Sequence, residues 1–168
     1  MISKKKHATR SSNYGYSGTS LLRNYGWIVD KAENSLVTLQ EFMTRQVPYW
    51  QTLGLELREV SPGMAIFEAD VRDGHMQNGV VHGGLLASIA DSACAVAGIS
   101  KVFPASYATT INLQLSYLKS VTQGRVRAEG RCLRAGRNLL FCEARVMDGE
   151  HNLVCTASSQ LIVIPLKG

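Results

Sequence analysis

The amino-acid sequence predicts an α+β fold in which one long antiparallel sheet curls around a single buried helix. The first observation is that residues 84–99 are apolar around most of a helical circumference, as in a helix enclosed by other elements. The second is that six other stretches alternate apolar and polar residues with the period of two expected of strands. The third is that turn sequences join several of these stretches as hairpins, which favours an antiparallel sheet with one apolar face to cover.

Residues 1–33 are predicted to be a flexible basic extension, and residues 34–168 a single domain. The first 20 residues lack hydrophobic periodicity, whereas residues 21–33 are ambiguous and compatible with a short helix. The formal charge is +5, and residues 1–31 hold six Lys and Arg against one Asp, so the rest of the chain is neutral. A neutral body argues against nucleic acid as a partner.

One helix and two strands are predicted before the buried helix. Apolar residues recur at helical spacing over residues 35–46, where a serine can cap the first turn and Pro48 follows the end. Residues 55–60 and 64–71 alternate on either side of a Ser-Pro-Gly turn, which predicts a hairpin. Residues 72–81 are rich in turn formers and are predicted to be a loop.

Four strands are predicted after the buried helix. The first has one apolar and one polar face, as expected for a strand buried on one side only. Turn sequences separate the second strand from the third and the third from the fourth, which predicts consecutive hairpins. The four strands are residues 107–118, 125–133, 139–147 and 153–164.

The cysteine and hydropathy patterns favour a cytoplasmic protein. The four cysteines lie in apolar periodic segments and form no Cys-x-x-Cys pair, so free buried thiols are favoured over disulfides, as in a reducing compartment. No stretch reaches the roughly 18 uninterrupted apolar residues of a membrane span, so we expect no membrane partner. The charged N-terminus is not followed by the apolar segment of a signal peptide.

An acidic residue, Asp91, lies in the middle of the apolar helix, with no Lys or Arg one helical turn away on either side. Burying a lone carboxylate is costly unless another group compensates its charge. We therefore predict that Asp91 faces a cavity and takes part in chemistry there. The alternative is a structural carboxylate that is capped or paired by another part of the chain.

Two glycines begin this helix, in the segment His82-Gly83-Gly84. Unpaired N–H groups at a helix N-terminus, where the helix dipole is positive, suit a carbonyl oxygen that acquires negative charge. Asp91 follows Gly83 by eight residues, about 12 Å of helix, which is too far for both to meet one reacting carbon. If they share a site, it combines two antiparallel subunits, so we predict a homodimer with composite sites. Alternatively, the glycines only permit close packing.

The spacing of these motifs resembles that of the hotdog-fold acyl-CoA thioesterases, and in particular the phenylacetate-degradation (PaaI-like) branch. The motifs are Asn78-Gly79-Val80-Val81-His82-Gly83-Gly84 and the later Ala90-Asp91-Ser92. The resemblance covers about residues 53–164, including the strand around Thr110 and the turn Ala135-Gly136-Arg137. It implies a hotdog fold, hydrolysis of an acyl- or aroyl-CoA to the free acid and coenzyme A, and a homodimer or a dimer of dimers.

The resemblance also implies roles for individual residues. Asp91 corresponds to the catalytic carboxylate, acting as a nucleophile or as a general base for water. The Gly83 N–H would polarise the thioester carbonyl, and Thr110 aligns with the Ser or Thr that holds the water or the carboxylate. Gly84 belongs to the same substrate-binding segment, and His82 orients the loop by hydrogen bonding rather than transferring protons.

An amide side chain ahead of the His-Gly-Gly element usually sits near the thioester in this family. In many relatives it stands six residues before the histidine, where this chain has Met76. Gln77 and Asn78 stand five and four residues before it, and either is a candidate for the contact. Asn78 with the following glycine is also a plain turn sequence.

Coenzyme A carries phosphates, for which basic side chains are suitable partners. Arg134, Arg137 and Lys119 are candidates because they lie near a turn or a strand end, although a solvated surface charge is the simpler interpretation of each. A carboxylate and an oxyanion donor can hydrolyse a thioester, so no cofactor is expected and coenzyme A is part of the substrate. The histidines and cysteines show no metal-ligand spacing.

Two other functions stay open at this point. A hotdog hydratase or dehydratase normally carries a different His-centred motif, and nothing in this chain matches it. A non-catalytic acyl-CoA-binding module could keep the glycines for packing, but it has no need of a buried carboxylate such as Asp91. The sequence lacks the motifs of serine hydrolases, P-loop and dinucleotide binders, and HExxH metalloproteases.

Overall fold

The computed structural model describes residues 35–166, with side chains from Leu39 onward. The predictions for residues 1–33, including the possible short helix, lie outside the described residues. The described residues contain three helices, α1 (Ser35–Gln46), α2 (Pro48–Leu53) and α3 (Gly83–Ile99). The strands are β1 (Glu56–Ser61), β2 (Met64–Asp70), β3 (Met76–Gln77), β4 (Val80–Val81), β5 (Ser106–Tyr117), β6 (Arg125–Ala135), β7 (Leu139–Asp148) and β8 (Leu153–Pro165).

Six of the strands form one antiparallel sheet with the order β1-β2-β6-β7-β8-β5. The central helix α3 lies on one face of this sheet, and its Ile89, Ala93, Val96 and Ile99 are fully buried. The predicted α+β fold, with a long antiparallel sheet and a central buried helix, is therefore confirmed. Strand β5 occupies one edge of the sheet, which leaves one side of its backbone unpaired within the described chain.

The sequence prediction missed α2, because Pro48 was interpreted only as the end of the preceding helix. Helix α1 does end at Gln46, but Pro48 begins a second, six-residue helix. Proline is tolerated in the first turn of a helix, where its missing N–H would have no intrahelical partner. Gly54 ends α2 in the left-handed conformation, with a φ of 63°.

The segment predicted as a plain loop, residues 72–81, contains more structure than expected. A short 3-10 turn at Asp73–His75 is followed by the two-residue hairpin of β3 and β4. Asn78 and Gly79 form its turn, with φ values of 52° and 82°, which is the geometry that an Asn-Gly pair favours. The residues on either side of the hairpin also bond to each other, since the His82 N–H donates to His75 O at 2.8 Å, while the Val81 N–H donates outward to Val121 O at 2.7 Å.

Helix α3 approaches the sheet most closely at Gly130 on β6. A Cβ atom at this glycine would lie 2.2 Å from the carbonyl oxygen of Ala93 and 2.9 Å from the N of Cys94. Both atoms belong to the backbone, so they cannot move aside as a flexible side chain would. The absence of a side chain at Gly130 therefore sets the distance between α3 and β6.

We expect Gly130→Ala to destabilise the protein by about 3 kcal/mol, at the upper end of the range for overpacked cores. For a chain of this size, that corresponds to a decrease in Tm of about 6–12 °C. Thermal unfolding followed by circular dichroism tests the prediction. Gly74→Ala is the control, since nothing lies within 4 Å of a Cβ at that position. Equal melting temperatures for the two variants would contradict the prediction.

The four cysteines are free in the structure, as predicted, and three of them are buried. The described residues include no helix that is long and apolar enough to cross a membrane.

Candidate active site

Asp91 lies on α3 at the wall of a cavity of about 500 Å³. The Oγ1 of Thr110, on β5, donates a hydrogen bond of 2.9 Å to Asp91 Oδ1. This contact exists because α3 crosses the sheet beside its edge strand, on which Thr110 faces inward. Two residues that are 19 positions apart in the sequence are thus brought together as a hydrogen-bonded pair. Within the described chain, no Lys or Arg forms an ion pair with this carboxylate.

Burial raises the pKa of Asp91 above its ordinary value, and the hydrogen bond from Thr110 partly opposes that increase. The folded protein therefore keeps a proton on Asp91 over a pH range in which the unfolded chain has lost it. Asp91 therefore makes its full contribution to stability at pH values below the pKa that it has in the unfolded chain. That contribution is lost as the pH rises through the higher pKa that it has in the folded protein. The ionised carboxylate consequently destabilises the fold at neutral pH, as expected of a group kept for its chemistry.

We expect Thr110→Val to raise the pKa of Asp91 further, because the variant keeps the shape of the side chain and removes the donor. A ¹³C NMR titration of the Asp91 carboxyl would measure the change without depending on any activity. Thr156→Val is a matched control on β8, where alternation places residue 156 on the opposite face of the sheet. An unchanged titration in Thr110→Val would show that the hydrogen bond does not stabilise the charged form.

The N-terminus of α3 is capped by His82. The imidazole Nδ1 accepts a hydrogen bond of 2.8 Å from the N–H of Gly84. A Cβ at Gly84 would lie 2.8 Å from that nitrogen, so the cap requires glycine there. The N–H of Gly84, a predicted substrate contact, is already engaged in this bond. Within residues 35–166, the N–H of Gly83 has no hydrogen-bond acceptor, which leaves it as the available donor.

Tyr117, near the end of β5, was not singled out from the sequence but contacts this helix terminus. Its hydroxyl donates a hydrogen bond of 3.1 Å to the carbonyl oxygen of Gly83. Its ring lies where a Cβ of Gly83 would point, at 3.2 Å. In the sequence, Tyr117 could be recognised only as a residue on the apolar face of an alternating strand. The fold is needed to show that α3 begins beside it.

The predicted site residues form two groups that do not meet within one chain. Asp91 and Thr110 share the cavity, whereas Gly83 and His82 lie at the start of α3, about 12 Å away along the helix axis. Gln77 and Asn78 are exposed on the small hairpin that precedes the helix. None of Gly83, His82, Gln77 or Asn78 lines the cavity that contains Asp91.

The three predicted phosphate-binding residues are also separated within one chain. Lys119 follows β5 and forms an ion pair of 3.2 Å with Asp148, near the β7–β8 turn. Arg134 and Arg137 are exposed at the β6–β7 turn, at the opposite end of the same strands. One subunit alone therefore does not gather them around a single phosphate group.

The hydrogen bonds around the cavity show residues that the sequence analysis missed. Tyr49 and Trp50 of α2 bond to the side chains of Ser88 and Ser92 on α3, and all four residues line the cavity. The sequence offered little indication of the roles of Tyr49 and Trp50, because the helix that carries them was not predicted. Across residues 35–166, no three His, Cys, Asp or Glu side chains group as metal ligands.

A family model described as the Thioesterase superfamily matches residues 78–155. The matched segment runs from the Asn78 turn through α3 and β5 into β8, so it contains Gly83, Asp91 and Thr110. Over this segment, slightly less than half of its length, the chain matches the thioesterase superfamily. On this match, the chain is a thioester hydrolase.

Solved structures and a sequence relative resemble this chain over most of its length. A thioesterase from Haemophilus influenzae is 23% identical, with a TM-score of 0.72 over 82% of this chain and 96% of its own. A variant of the phenylacetic acid degradation protein PaaI from Thermus thermophilus is 28% identical, with a TM-score of 0.63 over 68% of this chain and 97% of its own. A Saccharolobus solfataricus protein named as a putative esterase is 22% identical over 136 residues, or 80% of this chain and 96% of its own. The predicted hotdog fold and PaaI-like resemblance are confirmed.

Proposed function

We propose that this thioesterase hydrolyses an acyl- or aroyl-CoA to the free acid and coenzyme A. The observation that carries the proposal is the half-buried carboxylate of Asp91, hydrogen-bonded to Thr110 at the wall of a largely apolar cavity. Apolar cavities with few polar groups suit acyl chains. A carboxylate whose pKa is raised by burial is also a stronger base than an exposed one.

In the proposed reaction, Asp91 either takes a proton from an attacking water or attacks the thioester carbon itself. The N–H of Gly83 donates to the carbonyl oxygen as negative charge develops on it. The carbon–sulfur bond then breaks, water supplies the hydroxyl of the acid, and the departing thiolate of coenzyme A takes up a proton. We propose no cofactor, since these steps require only a carboxylate, a hydrogen-bond donor and water.

We propose that the two groups meet across a homodimer in which the β5 strands pair. Thr110 and Tyr117, which contact Asp91 and Gly83, lie seven residues apart on this edge strand. If two β5 strands pair antiparallel about an axis next to Leu113, Thr110 lies opposite Tyr117 of the partner subunit. Asp91 then faces Gly83 of the partner subunit. The pairing would also cover a long exposed edge, which proteins rarely leave open.

The same axis supports a composite site for the phosphates of coenzyme A. Ala108 pairs with Val163, whose N–H bonds to Asn138 in the β6–β7 turn at 2.9 Å. When the two β5 strands pair antiparallel, the residues that follow β5 in one subunit lie beside the first residues of β5 in the partner subunit. Lys119 would thus approach Arg137 of the partner subunit, so the separated cations could act together.

Because each proposed site combines residues of two subunits, a dimer is the smallest active assembly. A dimer of dimers would contain the same sites. The free cysteines support a cytoplasmic location for the proposed enzyme. Gln77 and Asn78, on the hairpin before Gly83, are the proposed amide contacts to the thioester.

Release of coenzyme A thiol from short, medium, long and aromatic acyl-CoAs tests the proposal. We expect turnover of at least one substrate by the full chain with no added metal or cofactor. Binding without turnover would favour an acyl-CoA-binding module, and loss of the conjugated double bond of an enoyl-CoA would favour a hydratase. Sedimentation of the same sample would show whether it is a monomer, a dimer or a tetramer.

A further inference from the structure

Helix α2 is attached to α3 by two side-chain hydrogen bonds close to Asp91. The Nε1 of Trp50 donates to Ser92 Oγ at 2.9 Å. The hydroxyls of Tyr49 and Ser88 lie 2.8 Å apart, and Ser88 Oγ donates its own proton to a backbone carbonyl one turn earlier. Tyr49 is therefore the donor in its bond to Ser88.

The two aromatic residues of α2 differ in their surroundings. Trp50 is 5% exposed and packs edge-on against Phe67 with ring centroids 4.7 Å apart, so it anchors α2 in the core. Tyr49 is 54% exposed, yet its side chain lines the cavity that contains Asp91. Its hydrogen bond to Ser88 holds the ring beside the cavity. Tyr49 is thus a wall of the cavity rather than part of the core.

The position of Ser88 shows which part of a substrate this wall would meet. Ser88 precedes Asp91 by three residues, so the two side chains lie on the same face of α3, about 5–6 Å apart at their Cβ atoms. A thioester carbon that reacts with Asp91 would lie close to that face. The ring of Tyr49 would therefore contact the first carbons of the acyl group, next to the carbonyl.

We propose that Tyr49 is a specificity-determining residue that limits the bulk of the acyl group beside the thioester carbonyl. Its ring is the wall, and its hydrogen bond to Ser88 holds the wall in place. This inference rests on the proposed acyl-CoA hydrolysis. It assigns the upper size limit of the substrate to α2, an element outside the family's matched segment of residues 78–155.

The test compares butyryl-CoA with 2-methylpropionyl-CoA and benzoyl-CoA, whose bulk increases next to the carbonyl. We expect Tyr49→Ala to raise kcat/KM for the bulky substrates by about tenfold relative to butyryl-CoA. This is the size of effect expected when a pocket gains room for a few more carbon atoms. Tyr49→Leu should give a smaller increase in the same ratio. Tyr49→Phe keeps the ring and loses the hydrogen bond, so its ratio should lie between those of the wild type and Tyr49→Leu. Gln51→Ala, an exposed change on the same helix, should leave the ratio unchanged.

The outcomes separate this inference from the function on which it rests. Equal changes for all three substrates in Tyr49→Ala and Tyr49→Leu would overturn the inference and leave the hydrolase intact. If the wild type turns over no member of the acyl-CoA panel but binds non-hydrolysable thioether analogues of these three substrates, the hydrolase proposal fails and the ratio of Kd values decides the role of Tyr49. Neither turnover nor binding by the wild type would overturn both.

Discussion

Replacing Asp91 by asparagine is expected to lower kcat by about 10²–10⁴-fold, the usual contribution of a positioned acid–base group. Asparagine has the same shape, and its amide oxygen can still accept the hydrogen bond that Thr110 donates to Asp91 Oδ1. The substitution therefore removes charge and basicity while changing the packing little. Thiol release from the best substrate of the acyl-CoA panel measures the loss.

The same variant should be more resistant to heat than the wild type at neutral pH. Burial raises the pKa of Asp91, so the ionised carboxylate destabilises the folded state there, and an amide removes that penalty. The gain in Tm should disappear at acidic pH, where the wild-type carboxyl is protonated. Loss of activity with a gain in stability would distinguish a functional carboxylate from a structural one.

Asp70→Asn is the matched control, since Asp70 carries an exposed carboxylate that pairs with Arg125. We expect it to keep wild-type kcat. Full turnover by Asp91→Asn would remove the carboxylate from the mechanism. A lower Tm for Asp91→Asn at neutral pH would show instead that Asp91 has a stabilising partner.

The parts of the fold that follow from local pattern could be predicted from the sequence. The continuous apolar circumference identified α3 within one residue of its observed Gly83–Ile99 bounds. The alternation of the last strands placed β5 and β8 within one residue at each end, because side chains on successive positions face opposite sides of a sheet. Strand β6 runs two residues further than predicted because an irregularity in its pairing with β7, between Cys132 and Arg134, interrupts the alternation.

The composition of the candidate site depended more on tertiary structure. Asp91 could be singled out because a charge in an apolar helix is visible in the sequence, but its partner Thr110 came only from the family resemblance. The contact of Tyr49 with Ser88 joins residues 39 positions apart, across an element that local patterns did not predict. Lys119 and Arg137 are likewise far apart because they lie at opposite ends of the strands. Their spacing along the sequence does not show this.

Replacing Gly83 by proline should lower kcat by about 10²–10³-fold, the effect of removing one oxyanion donor. Gly83 is the first residue of α3, where proline is tolerated, and His82 before it has the extended φ and ψ of −61° and 132° that a following proline requires. The variant thus removes the N–H without breaking the helix. Gly83→Ala is the control, because it keeps the N–H and adds the same Cβ contact with the Tyr117 ring.

Combining the two inactive variants tests whether each site is shared between subunits. A heterodimer of Asp91→Asn with Gly83→Pro has one site with both changes and one with neither, if Asp91 acts with Gly83 of the partner subunit. Chains carrying different affinity tags, co-expressed and purified through both tags, should then recover about half of the wild-type activity per dimer. If each site lay within one chain, both sites of the heterodimer would be damaged, and it would be as inactive as its parents. Recovery therefore requires the antiparallel pairing of the β5 strands that brings the start of one α3 to the middle of the other.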